Sequence, residues 1–101
     1  MTQRIVHDPA VADLNEILDY PAMNAGKAVA LRYAMAFQKA FDRIVEFPAS
    51  GAPRPKLGPD TRLVIVQPYL IFYDYLAAQD SVHVLRILHS RRNITKLSLK
   101  P

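Results

Sequence analysis

No cysteine occurs among the 101 residues. That excludes disulfides, thiolate-held zinc and thiol catalysis, and it matches a reducing cytosol. Long apolar runs are missing too. Every hydrophobic stretch is broken well short of the roughly 20 residues that a membrane span needs, and the opening MTQRIVHDPA has no apolar core of the kind a secretory signal carries. The expected setting is therefore cytoplasmic, with no membrane partner. Glycine is scarce, with three in the chain. None stands in a GxxxxGK[ST] frame that would cradle a phosphate, and Gly51 and Gly58 read as turn residues among prolines. His7, His83 and His89 have neither HExxH nor HxH spacing, so no metal site is expected. Ser50, Ser81, Ser90 and Ser98 lack the GxSxG frame of a nucleophile elbow. Nothing in the sequence asks for a cofactor.

Half of the residues are hydrophobic, enough to bury a core, and the length suits one domain spanning residues 1–101. The net charge of +4 is unevenly spread. Residues 1–50 carry five Lys/Arg against six Asp/Glu, whereas residues 51–101 carry eight against three. A basic second half implies an acidic partner, either a nucleic acid or an acidic protein segment.

The pattern divides into a helical half and a strand half. The run at 4–6 reads as a short edge or docking strand. Asp8-Pro9 predicts a helix start, with Asp8 as cap and Pro9 at the first helical position. Val11, Leu14, Ile17 and Leu18 make its apolar face, and Tyr20-Pro21 is expected to end it. Asn24 is expected to cap a second helix. Its stripe of Val29, Tyr33, Phe37, Ala40, Phe41 and Ile44 runs up to Phe47-Pro48. Residues 48–60 hold four of the eight prolines and read as a loop. Strands are expected at 62–66, 69–76 and 82–89, joined by breaks short enough to favour antiparallel neighbours. The last is apolar on both faces, so it belongs inside the sheet. The tail RRNITKLSLKP predicts a short helix or an extended arm. The fold class is α+β in the order β-α-α-β-β-β, a helical hairpin packed on a small antiparallel sheet with its other face partly open.

Among groups that could carry chemistry, Asp13 and Glu16 sit on the first helix and are expected to face solvent, away from any cleft that would make them an acid–base pair. The cations are more informative. Arg54 and Lys56 lie in the loop, Arg62 opens a strand, Arg86 lies within the last strand, and Arg91-Arg92 follow it. If the sheet gathers them, they would hold a phosphate chain, with His89 the best local group for moving a proton. In a purely structural role Arg86 pairs with an acid such as Asp74 across the sheet, and Arg91-Arg92 dock an acidic protein tail.

The runs DLNEILDY at 13–20, FPASGAPRPKLG at 47–58, PYLIFYDY at 68–75 and VLRILHSRRNI at 84–94 resemble the RelE/ParE toxin superfamily. The most specific pieces are the passage through Pro48, Gly51, Arg54, Leu57, Gly58 and Arg62, the YLIFY strand, and the LHSRR ending. The resemblance implies a helical hairpin on an antiparallel sheet and a toxin of a type II toxin–antitoxin pair. Its cognate antitoxin wraps it with one end and binds operator DNA with the other. RelE-like members cleave mRNA on the ribosome, whereas ParE-like members poison DNA gyrase. Many RelE-like nucleases carry a tyrosine or histidine in the C-terminal tail. RRNITKLSLKP has neither, and the ending looks closer to the ParE side. The leading expectation is thus a gyrase inhibitor that acts by binding, with Arg62, Arg86, Arg91 and Arg92 contacting target or antitoxin. The alternative is a ribosome-dependent endoribonuclease in which Arg54, Lys56, Arg62 and Arg86 hold the phosphate and His89 moves protons. A third possibility is a binding remnant that has lost toxicity.

Overall fold

The period-two runs after residue 60 become the centre of a sheet. The computed structural model describes residues 2–99, with backbone alone at positions 21–23 and 97. Its elements are β1 (Gln3–Val6), α1 (Asp8–Asn24), α2 (Lys27–Glu46), β2 (Ala52–Pro53), β3 (Thr61–Val66), β4 (Tyr69–Leu76) and β5 (Ser81–His89). Short 3-10 turns lie at Pro48–Ser50, Ala77–Gln79 and Lys96–Leu99. The strands form one sheet in the order β1-β5-β4-β3-β2. The β2, β3, β4 and β5 neighbours are antiparallel, but β1 pairs with β5 in parallel. The sheet is therefore mixed, because the helical hairpin returns the chain across the layer between its first and later strands.

The two helices differ from expectation at their ends. α1 begins at Asp8, and the His7 carbonyl accepts from the Ala10 and Val11 amides, so His7 occupies the capping place expected of Asp8. The helix does not stop at Tyr20-Pro21 but runs on to Asn24. A proline this near the end removes a single backbone bond, a loss that the last turn tolerates. Asn24 does not cap α2; its side-chain amide donates to the Tyr20 carbonyl at 2.9 Å and closes α1 instead. The reversal falls on Gly26, whose φ of 92° suits a residue without a Cβ.

α2 buries Phe37, Ala40, Phe41 and Ile44 on the sheet, as its stripe predicts. α1 contributes Ala10, fully buried, with Leu14, Ile17 and Leu18 packed beside it. Val11 is 41% exposed, because the inward stripe passes through Ala10 and leaves Val11 at its margin. Ile71, Tyr73, Val82, Val84 and Ile87 complete this larger core.

The opposite sheet face is less open than expected. Leu63, Phe72 and Leu88 are buried there beneath Leu99 of the C-terminal turn, flanked by Leu57 of the proline-rich loop and by Ile94. The tail is thus a cover with a 3-10 turn; positions 100 and 101 lie outside the described residues.

The proline-rich loop is also less irregular than expected, since it holds a 3-10 turn and the two-residue β2. It is tied to the sheet by Tyr73, whose hydroxyl donates to the Pro48 carbonyl at 2.7 Å and accepts from the Gly51 amide at 3.0 Å. Gly51 has extended backbone angles, so turn geometry does not demand it. It is required because a Cβ there would run into the Tyr73 ring.

Burial holds the Tyr73 phenol above its usual value, opposed by the Gly51 hydrogen bond and the Arg62 charge. Tyr73→Phe should lower stability by about 1–3 kcal/mol, since it leaves a buried amide without its partner. A urea titration at neutral pH measures that loss. Above about pH 10 the unfolded chain releases a proton that the folded chain retains. The parent's stability should therefore fall as pH rises through that range, and the Tyr73→Phe protein should fall less steeply.

Candidate binding cleft and the clamp beside it

β5 is inside the sheet only over its first half. Beyond the Val6–Val84 pairing no strand among the described residues follows on that side, and α1 passes the bare edge. An N–H left there needs a partner. Asp13 supplies it: one carboxylate oxygen accepts from the Ile87 amide at 3.0 Å and from Arg86 Nε at 2.6 Å. The other accepts from Arg86 Nη2 at 2.9 Å, giving a two-point pair. Arg86 Nη1 donates to the Ser98 carbonyl at 2.9 Å, so the same guanidinium reaches the C-terminal cover. The Asp13 hydrogen bond holds the Arg86 guanidinium above its already high value, against the opposing effect of burial.

Two expectations are corrected here. Asp13 does not face solvent with Glu16, because it lies on the inward stripe between Ala10 and Ile17. The acid that meets Arg86 is Asp13, not Asp74, whose carboxylate accepts the Thr61 hydroxyl at 2.6 Å.

The remaining cations fall into two separated groups. Arg62 donates to the Ala49 and Gly51 carbonyls at 2.9 and 2.8 Å, fixing the loop. Arg54 and Lys56 are exposed beside it, with one Arg54 nitrogen on the Pro53 carbonyl. Arg62 lies level with Tyr73 and Val84, whereas His89 lies level with Tyr69 and Val66. Four strand residues separate those levels, about 13 Å at roughly 3.3 Å per residue. The sheet therefore does not gather Arg54, Lys56, Arg62 and His89.

His89 lines a cleft of about 430 Å³ between α1 and the ends of β4 and β5. Ile17 and Ile87 contribute apolar lining, Tyr20 and Tyr69 aromatic lining, and Glu16 and Arg92 opposite charges. Burial first, and then the neighbouring Tyr33 and Tyr20, hold the Tyr69 phenol above its usual value. The Tyr69 ring meets His89 edge-on, with ring centres 5.5 Å apart. The Arg91 amide donates to His89 Nδ1 at 3.1 Å. That nitrogen is then an acceptor and the proton sits on Nε2. Held this way, His89 has its Nδ1 lone pair engaged by the backbone. Arg91 and Arg92 are exposed where the chain turns off β5. Among the described residues no group of three His, Asp or Glu could hold a metal ion, and no helix is long and apolar enough to cross a membrane.

The contribution of Asp13 was missed by the sequence reading, although its place three residues after Ala10 and four before Ile17 marks it as inward. Asp13→Ala should cost about 2–4 kcal/mol, because it leaves Arg86 partly buried without its counter-charge. Pairing it with Arg86→Met should recover part of that loss, so a double-mutant cycle in urea should give a coupling above about 1 kcal/mol.

Three comparisons bear on this geometry. No curated protein matches the chain. A solved structure described as a chromosomal ParDE toxin–antitoxin system from P. aeruginosa superposes with a TM-score of 0.72, covering 88% of this chain and 96% of that one at 22% identity, and so shares the fold. The family model described as the ParE toxin of the type II toxin–antitoxin system, parDE, matches residues 5–94. With nearly its whole length matched, this chain belongs to the ParE toxin family of type II toxin–antitoxin systems.

Proposed function

We propose that the protein is a toxin that inhibits DNA gyrase by binding it and is neutralised by a cognate antitoxin. The observation that carries this reading, beyond the family, is the dispersal of the groups a nuclease would need. Arg62 serves the loop carbonyls and Arg86 serves Asp13. His89 stands at the other end of the sheet from Arg54 and Lys56, with its Nδ1 engaged by the Arg91 amide. A phosphate held by the loop cations has no proton-transfer partner in His89. Arg91 and Arg92 are placed at the surface to meet an acidic protein segment or a DNA backbone, where they would act on encounter rate and orientation.

The antitoxin is expected to be a small, partly acidic protein. Its docking would cover the apolar surface that the helical hairpin leaves out, where Tyr20, Leu31 and Met35 are 71%, 60% and 63% exposed. The cytoplasm is the compartment in which gyrase is found, and the proposal places the protein there.

Purified protein should block supercoiling by purified gyrase. Arg91→Glu with Arg92→Glu should raise the concentration needed by about tenfold or more, equivalent to about 1.4 kcal/mol of binding. Undisturbed supercoiling at a large excess of toxin would remove the proposal. On programmed ribosomes transcripts should stay intact; cleavage that disappears in His89→Ala would establish the nuclease instead.

A further inference from the structure

His7 and His83 are 76 residues apart in sequence, yet their rings meet at the junction of β1, α1 and β5. His7 Nε2 lies 3.0 Å from His83 Nδ1, and the rings stand edge-on with centres 5.2 Å apart. The second nitrogen of His83 lies 3.3 Å from the hydroxyl of Ser81, which is 2% exposed. His7 is also where the backbone changes element. Its amide donates to the Val84 carbonyl at 3.0 Å, and its own carbonyl starts α1.

From this we infer that the histidine pair is an acid-sensitive latch holding the edge strand β1 and the first turn of α1 against β5. A ring-nitrogen contact of this kind needs a hydrogen on one side and a lone pair on the other. With both rings neutral the requirement is met, and Ser81 completes the chain by donating or accepting as needed. One added proton still leaves one lone pair between the rings. With two added protons both facing nitrogens carry hydrogens, no acceptor remains, and two positive rings confront each other at 3.0 Å.

Three acids adjoin the pair in register or in sequence, while on the same elements Asp13 is paired with Arg86 and Arg4 lies over the Phe41 ring. Asp74 is the register partner of His83 on β4 and holds the Thr61 hydroxyl. Asp80 precedes β5 and accepts the Thr2 hydroxyl. Asp8 follows His7 at the start of α1. Their negative charge favours the first protonation; the facing geometry resists the second. Carboxylates as a class titrate well below imidazoles, so a transition above the carboxylate range identifies the rings. The sign follows from proton counting. Below about pH 6.5 the unfolded chain takes up both protons and the latched chain does not, so the latch weakens as pH falls.

Amide hydrogen exchange across pH about 7.5 to about 5, corrected for the intrinsic pH dependence of exchange, tests this. Protection of the His7 and Gln3 amides, which bond to Val84 and Asp80, should fall at least about tenfold in the parent while that of Phe72 changes little. His7→Gln keeps a donor and an acceptor near the Nε2 position without a titrating ring, so its protection should be flat over the range. His89→Ala should fall like the parent. A parent profile without the fall, or the same fall in His7→Gln, would overturn the latch. Should His7→Gln fail to fold, ring nitrogen shifts of the parent decide. The second protonation of the pair should coincide with loss of protection at His7, and two protonated rings over a still-protected β1 would refute the idea.

Discussion

Asp13 and Arg86 join three separate segments through one ion pair. The carboxylate belongs to α1, the guanidinium to β5, and the guanidinium also holds the carbonyl of Ser98 in the C-terminal cover. The carboxylate further accepts the Ile87 amide, an edge donor with no strand beside it among the described residues. The hairpin's position along the sheet, the closure of an open strand edge and the seating of the tail are thereby coupled. Little slack is available, because both side chains are mostly removed from solvent, Asp13 at 14% and Arg86 at 18% exposure. A pair at that depth is costly to break from one side.

The sheet carries hydrophobic clusters of unequal size on its two faces. Under the helices, aromatic and branched side chains from both layers form the larger one. On the other face a few leucines and Phe72 are covered by a segment with little regular structure. That second cluster uses residues which, in strands taken alone, look like ordinary alternation. The cations follow the same economy. Arg62 and Arg86 are drawn into holding backbone carbonyls and a carboxylate, whereas Arg91 and Arg92 stay exposed where the chain leaves β5.

Much of this architecture was legible in the sequence because two periodicities are clear in it. The stripe from Phe37 to Ile44 allows no other helix face, and the runs at 69–76 and 82–89 correspond to β4 and β5 with at most one residue of difference. What stayed hidden depends on partners distant in the chain. Asp13 read as a surface acid because local pattern ranks a carboxylate below its apolar neighbours, and only the unpaired edge of β5 makes it welcome inside. Val11 was favoured over Ala10 by size, whereas close helix–sheet approach selected the smaller residue. Pro21 marked a stop too strictly, since a helix in its final turn has few bonds left to lose. Spacing tests the histidines only as ligands, whereas His7 and His83 meet because the parallel pairing of β1 with β5 seats His7 just past the Val6–Val84 pair. The family resemblance read from the motifs covers the same stretch that the comparison matched.

The parallel pairing of β1 with β5 brings opposite ends of the chain together: Thr2 bonds to Asp80, 78 residues away. A strand made first therefore waits for the strand made last. During synthesis the N-terminal residues have no sheet to join until nearly the whole chain has left the ribosome, and closures over such distances form slowly. The finished sheet, and the surface that ends at the basic turn, therefore draws on segments 78 residues apart and is assembled only when both are present.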